Sequence, residues 1–504
     1  MVGKNRGLLS SGVWNIVGII ATALGAFVSM PVVINGIGTD NYGLFSVILM
    51  IGGFAALQDF GLGEATLRFI SFYSSKRDLV GINRVMQSTL VVYLITLVLF
   101  FLLLQLFSSQ IIGLFKLEKS QIAIGIRSFK IASISFLFGT LGQALQKVPE
   151  AVLRYDISNI VNIGFTIFRF VSMILVVNHG FGLEGLVWVL VVVSILRLIA
   201  FYIVSIRLVP GITIYPKYNK DGVKEVFSFS VYSFFNQIIS QVSQNTDRIV
   251  LGMFFSVTSV GFLSAPKDII QRVSGITGGA GQALFPKFSS MSVNHEMAQL
   301  YQHSLWILSF LSLVLLIPLA IIIPGFLNVW ISPEFSENSA DFASLFSLGM
   351  AFNGGVVVYF SLLKGINRIK WLTNIMSTFT IVSIIATAIL VYRYGVVGSG
   401  IRTILFSWIG TIICIVVGKK VFREFFNYRS IFEFAIVLPI TGILVYLLGI
   451  KSLHYYSIDS WISVIVSYSV YAIVTCFGIS SINYLIFRET GSSYYCWILL
   501  KSKI

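Results

Sequence analysis

The sequence predicts an all-α, polytopic membrane protein of about 14 transmembrane helices. Three observations carry this. Apolar residues make up 56% of the 504-residue chain, and the mean hydropathy is +0.90. Asp, Glu, Lys and Arg together reach only 11%, against roughly 25% in soluble domains. At about 20 to 25 residues per crossing, the chain has room for roughly 12 to 14 helices and none for a sizeable soluble domain.

Apolar windows between charged breaks place the spans, in order, at 11–34, 43–67, 86–108, 122–146, 157–178, 184–206, 227–255, 259–285, 304–327, 341–363, 372–392, 397–418, 431–450 and 461–487. The basic start MVGKNRGLLSSGVW runs into the first apolar segment without a small-residue cleavage site, so it is read as an uncleaved first span. With the N-terminus cytoplasmic, loops and tails on that side collect about 23 of the 35 Lys and Arg residues and the other side about four. This asymmetry sets both termini inside, and it accounts for the net charge of +15 without nucleic acid. Cys414, Cys476 and Cys496 show no metal-ligand or redox spacing and are read as packing residues.

The order of segments repeats. A shift of 218 residues lays YGLF (42–45) on VGFL (260–263) and GLGEATL (61–67) on GAGQALF (279–285). A shift of 215 lays the Gly180 and Gly185 turn on the Gly395 and Gly400 turn. The expectation is two parallel-repeat six-helix bundles around a central cavity, residues 1–215 and 216–425, followed by two additional helices and a tail, 426–504.

Charges inside the spans point to a site. In span 7, Gln237, Gln241, Gln244 and Arg248 share one helical face, and Asn236, Ser240, Ser243 and Asp247 form a neighbouring stripe. Polar groups at that depth cost several kcal/mol in lipid, so these faces must line water or a polar helix. Span 1 carries a milder stripe of Ser11, Asn15, Thr22 and Ser29. In span 8, Asp268 and Arg272 stand at i and i+4, where they can pair, with Lys267 on the adjacent face. Arg248 and Lys267 lie roughly 10 to 15 Å deep, with Arg272 deeper. Further intramembrane ionisable groups are Asp59, Glu64, Lys130, Arg169 and Arg197, while Arg127 and Arg402 are close enough to the outer boundary to snorkel.

Basic groups exceed acidic ones in this interior. Uncompensated Arg and Lys attract an anion, and the planar guanidinium fork suits phosphate. The expected cargo is therefore anionic, with Arg248, Lys267, Arg272 and Arg169 at its head group and Asn236, Gln237, Ser240, Gln241 and Gln244 on its polar remainder. Asp59, Asp247 and Asp268 are the candidates for ion or proton coupling. No Walker loop, HExxH, CxxC or nucleophile elbow occurs, and His179, His295, His303 and His454 are dispersed. The outer loop around ISPEFSENSADF carries acids without a His or Arg cluster. These features call for no cofactor, no metal and no catalytic residue, and they weigh against an enzyme.

The segment SSGVWNIVGIIATALGAFVSMPVVINGIGTDNYGLFSVILMIGGFAALQDFGLGEATLRFIS, the segment NTDRIVLGMFFSVTSVGFLSAPK and the 14-span plan resemble the Wzx-type polysaccharide flippases of the multidrug/oligosaccharidyl-lipid/polysaccharide exporter superfamily. Its motifs here are Gly38 to Phe45, the Gly-Leu-Gly at 61–63 and the Asn-x-Asp at 245–247. The resemblance implies two bundles around a cationic cavity and a cargo of oligosaccharide joined by pyrophosphate to a polyprenyl lipid. It implies transfer from the cytoplasmic to the outer leaflet of a bacterial inner membrane by alternating access, as in O-antigen or capsule assembly, beside other polysaccharide-assembly proteins. The cavity role is carried onto Arg248, Lys267 and Arg272. Gly25, Gly36, Gly61, Gly63, Gly279 and Gly281 are hinge or close-packing positions. Three alternatives stay open: a multidrug or organic-cation antiporter of the same superfamily, which would rest on Asp59 and Asp247, a membrane glycosyltransferase or ligase, and a non-transporting scaffold of an envelope complex, which would tolerate neutralisation of every cavity charge.

Overall fold

A computed structural model of the chain describes residues 4–55, 62–453 and 458–487. They are helical almost throughout: α1 Lys4–Ile37, α2 Thr39–Ala55, α3 Leu62–Ser75, α4 Leu79–Leu106, α5 Ser108–Gly113, α6 Lys119–Ala151, α7 Tyr155–Asn178, α8 Gly182–Leu208, α9 Lys220–Phe254, α10 Val257–Gln282, α11 Leu284–Ser290, α12 His295–Trp330, α13 Pro333–Ala351, α14 Val356–Gly365, α15 Ile369–Tyr394, α16 Val396–Phe422, α17 Tyr428–Phe432, α18 Leu438–Leu453 and α19 Trp461–Phe487. No strand occurs among the described residues. Backbone groups in a bilayer must be satisfied within their own segment, which is why an apolar chain of this length resolves into helices.

Among the described residues, each of the fourteen apolar segments falls on one helix or on two or more in succession. Among the described residues nine are long and apolar enough to cross a membrane, or ten with the α13–α14 pair, which bends by 42° at its break. The remaining segments lie on α1, α2–α3, α9 and α10–α11, of which α1, α2–α3 and α9 are only partly described. The protein is a multi-pass membrane protein.

Helix starts follow local chemistry. Asp78 accepts from Gly81 N at 2.9 Å to open α4, Asn219 from Gly222 N at 2.9 Å to open α9, and Asn294 from Met297 N at 3.0 Å to open α12. The acidic stretch ISPEFSENSADF, expected as a loop, is the first half of α13. Ser332 caps it at 3.2 Å from Phe335 N, and Pro333 occupies the first helical position. That pairing of cap and proline is a start signal that outweighs polar composition.

The chain forms two compact units, Met1–Gly261 and Phe262–Ile504. In the first, α1 and α7 lie close because Gly25 leaves room for Phe170 and Gly36 for Val177, where a side chain would overlap them. Small residues at such crossings are the usual means of bringing membrane helices together. A buried cluster including Ile82, Val85, Tyr93, Leu145, Val148 and Phe201 ties α4, α6 and α8 together. In the second unit the equivalent cluster holds Phe288, Tyr301, Leu305, Tyr359, Leu362 and Val417, with the Tyr301 hydroxyl donating to Cys414 O at 2.7 Å.

Within the first unit the turn from α1 into α2 touches the turn from α9 into α10. Gly38 ends α1 at φ +82°, a left-handed conformation that glycine adopts without strain. A side chain on Gly43 would overlap the Val257 carbonyl, and one on Gly261 would meet Thr39 O at 2.8 Å and Gly43 N at 3.2 Å. Thr258 Oγ1 donates to Asp40 Oδ1 at 2.6 Å, across a separation of 218 residues. The contacts are reciprocal at the repeat spacing: 43 meets 257 and 261 meets 39, while 40 meets 258 and 43 meets 261. Elements related by a two-fold axis touch in this pattern.

Candidate functional site

Helix α9 presents its polar residues as two different surfaces. Ser240 and Gln244 are exposed and joined by a Gln244 Nε2 to Ser240 Oγ bond of 2.8 Å. Gln237, Gln241 and Arg248 are half-buried, whereas Asn245, Thr246 and Asp247 are buried. The Gln241 side chain lies against α2, where Gly53 leaves room for it, and it accepts from Asn245 Nδ2 at 3.2 Å. Arg248 Nη1 reaches Asn245 Oδ1 at 3.4 Å, and the Arg248 backbone N–H donates to Asp247 Oδ1 at 2.9 Å. Asp247 is 2% exposed. The Gln237, Ser240, Gln241, Gln244 and Arg248 positions thus form one open polar face, with Asp247 turned into the protein behind it. The side chain of Asn236 and the whole of Asp59 lie outside the described residues.

In the second unit, helix α10 carries the other predicted basic groups. Lys267 is 3% exposed, and Asp268 and Arg272 are half-buried. The pairing expected between Asp268 and Arg272 does not form: among the described residues Arg272 makes no ion pair, and its Nε is buried with no hydrogen-bond acceptor. Helical spacing brings two side chains to the same face but does not fix their rotamers, and here the guanidinium turns elsewhere. A buried N–H without an acceptor carries its full desolvation cost, and Arg272 Nε is in this state, as are the Nε atoms of Arg84, Arg169, Arg197 and Arg402.

Arg169 is half-buried on α7, its guanidinium 4.7 Å from the Phe170 ring. Phe170 in turn packs at Gly25 of α1. Of the milder stripe of α1, the side chains of Ser11 and Asn15 lie outside the described residues, and the other two bond to their own helix backbone. Thr22 donates to Gly18 O at 2.8 Å, and Ser29, 3% exposed, to Ala26 O at 3.5 Å. Among the glycines singled out, Gly281 gives way to Val357 in the second unit, Gly279 has open space at its Cβ, and Gly61 lies outside the described residues.

One polar cluster was not anticipated. Sequence put 147–150 in a loop, but α6 continues to Ala151 and buries Glu150. Its carboxylate accepts from Lys147 Nζ at 2.8 Å and from Gln146 Nε2 at 2.6 Å, and Arg197 of α8 donates to Gln146 Oε1 at 2.5 Å. The i, i+3 and i+4 spacing of Gln146, Lys147 and Glu150 was the available signal. No group of three His, Cys, Asp or Glu side chains able to hold a metal occurs among the described residues.

A family described as polysaccharide biosynthesis protein matches residues 8–292, more than half of the chain. The chain belongs to that family. The match spans all of α1 to α9 except the first few residues, and it covers α10 with Lys267 and Arg272. A protein of Shigella flexneri named "Putative O-antigen transporter" is 25% identical over 427 residues, which cover 81% of this chain and 98% of that protein. Among solved structures, the lipid II flippase MurJ in an inward closed conformation aligns with a TM-score of 0.73 at 14% identity, over 94% of this chain and 98% of that one. An inward-facing multidrug resistance MATE family transporter of the MOP superfamily aligns at 0.63 and 13% identity, over 81% and 94%. This member of the polysaccharide biosynthesis protein family therefore shares the polytopic fold of these two solved structures.

Proposed function

We propose that the protein flips polyprenyl-pyrophosphate-linked oligosaccharide repeat units across a bacterial inner membrane, from the cytoplasmic to the outer leaflet, for cell-surface polysaccharide synthesis. The observation that carries this reading is the basic pair on α10. Lys267 is almost wholly buried, and one turn further on the Arg272 guanidinium holds a buried N–H with no acceptor. Two cations in a membrane-embedded helix suit a pyrophosphate head, and Arg272 has a donor to spare for it. Family membership and the name of the Shigella relative support a polysaccharide-linked cargo.

In this reading Arg248, Lys267, Arg272 and Arg169 serve the head group. The polar stripe of α9, with Asn236, Gln237, Ser240, Gln241 and Gln244, hydrogen-bonds sugar hydroxyls. Asp247, Asp268 and Asp59 couple transfer to an ion gradient. The reciprocal contacts at 39–43 and 257–261 support a parallel repeat that divides near residue 215, with two added C-terminal helices. Both termini lie in the cytoplasm, as the distribution of Lys and Arg supports, and neighbouring polysaccharide-assembly proteins supply and consume the cargo.

The test is reconstitution of the purified protein in liposomes with a polyprenyl-pyrophosphate oligosaccharide, scored by access of the sugar to an external lectin. Transfer by the wild type and its loss in Arg272→Ala and Lys267→Ala are expected. Transfer of organic cations instead, abolished at Asp59 and Asp247 and indifferent to Arg272, would establish an antiporter. Elongation of the sugar chain would establish a transferase.

A further inference from the structure

The second unit carries a feature that the α10 site does not use. Helix α15 begins after a turn ending in Arg368, and α16 ends at Phe422 followed by a short 3-10 turn from Arg423. Between these ends lies a pocket of about 630 Å³ lined by Arg368, Trp371, Val416, Lys419, Lys420 and Arg423. Four of its six lining residues are cations and none is an acid. Among the described residues none of the four joins an ion pair. The Lys420 ammonium sits 5.6 Å from the Trp371 ring centre and that of Lys419 5.8 Å from Tyr428. The one neighbouring acid in sequence, Glu424, is exposed.

Like charges gathered without a counter-charge repel one another, and here the backbone helps to hold them. Arg423 adopts φ +40° and the neighbour of Arg368, Asn367, φ +58°, conformations that non-glycine residues adopt at a cost. Such strain concentrates at ligand clamps and turns.

Trp371 is shared with a second hollow of about 400 Å³, which continues along α15 and α16 past Ile375, Phe379, Val382, Ile409 and Ile413. Both helices are apolar enough to cross a membrane. Val382 is 48% exposed, Ile409 38% and Val416 46%, so the groove opens outward from this helix pair. A cationic cup at the helix ends, an interfacial Trp and an apolar groove along the spans match one molecule with a charged head and a hydrocarbon tail.

We propose that this is a resident site for one anionic phospholipid of the bilayer. Its phosphate sits among Arg368, Lys419, Lys420 and Arg423, and an acyl chain lies in the α15–α16 groove beyond Trp371. A free phosphate would leave the groove unused, and a zwitterionic lipid would leave the cations uncompensated. The cations assigned to cargo stand on other helices, α7, α9 and α10.

The experiment is native mass spectrometry of the full-length protein released from detergent and titrated with phosphatidylglycerol. A retained one-to-one adduct is expected, with phosphatidylcholine far weaker. Each neutralised cation weakens binding about fivefold, so Lys419→Gln with Lys420→Gln gives about 25-fold. Ile409→Trp fills the groove and lowers affinity with all four cations intact, which keeps the test independent of the charge variants' folding. Lys451→Gln, at the far end of α18, changes nothing. Four results overturn the proposal: charge variants that bind as the wild type does, equal binding of phosphatidylcholine, equal competition by glycerol phosphate alone, and displacement by a polyprenyl pyrophosphate at lower concentration than phosphatidylglycerol. The third makes the pocket a soluble-anion site and the fourth a cargo-loading site.

Discussion

The turns at 39–43 and 257–261 meet through corresponding residues, yet the helices around them have diverged. On the α1–α2 side Thr22 and Ser29 of the first helix bond to its own backbone. On the α9–α10 side the same positions in the proposed repeat are an open face ending at a buried Asp247, followed by Lys267 and Arg272. Thr22 corresponds to Ser240 and Ser29 to Asp247 at the 218-residue shift. A duplicated scaffold can thus hold its geometry in both copies while only one accumulates the charges that chemistry needs.

The most damaging way to break this comparison is at the glycines where the turns meet. Gly43→Val places a side chain on the Val257 carbonyl, and Gly261→Val places one on Thr39. Neither carbonyl can move without shifting its helix, so each variant costs about 3 kcal/mol and accumulates poorly. Gly139→Ala, whose added methyl meets open space, is the control and melts at the wild-type temperature or slightly above it. Thermal unfolding followed by size-exclusion recovery measures both, and a Gly43→Val protein as stable as the wild type would remove the close approach.

The second test separates function from stability on the charged side. Arg272→Met removes a buried donor without a partner, so it stabilises the fold by about 1 kcal/mol while transfer falls about 100-fold. Arg272→Lys restores part of the transfer, because an ammonium supplies charge without the planar fork. A variant that lost stability and transfer together would mean that Arg272 holds the structure rather than the cargo.

The fold was legible because burial in lipid leaves a coarse signature. Twenty-residue apolar windows found α7 and α8 to within two residues at each end, though they began α4 late, ended α6 early and missed the short α5, and the 218-residue shift picked out residues that prove to touch. Features set by side-chain rotamer or chain continuation were not legible. The spacing of Asp268 and Arg272 predicted a pair that the rotamers do not make. Glu150 and the start of α13 were read as loops, since polar composition hides a helix that its caps or its packing sustain. The cationic cup of α15 and α16 joins residues some 50 apart in sequence that the charge asymmetry had already explained as basic loops.

A smaller effect is expected from the hydrogen bond that joins the two turns. Asp40→Ala and Thr258→Ala each remove a bond to a charged acceptor of 2.6 Å, worth about 1.5 kcal/mol. The double variant loses little more than either single one, because both delete the same interaction. Strict additivity in a double-mutant cycle of melting free energies would show that the two side chains act separately and that the turns are held by the glycine contact alone.

The smallest effect tests the asymmetry itself. Thr22→Ala and Ser29→Ala take away hydroxyls already bonded to the preceding turn, an arrangement that bends a helix slightly and contributes little. Both stability and transfer should stay within about 0.5 kcal/mol of the wild type. The corresponding positions of α9 behave differently: Ser240→Ala and Gln244→Ala leave the melting temperature unchanged, since both side chains are exposed, but lower transfer by several-fold through lost contacts with cargo hydroxyls. If Thr22 and Ser240 variants lowered transfer alike, both copies of the repeat would face the cargo, and the divergence between them would lie only in the charges.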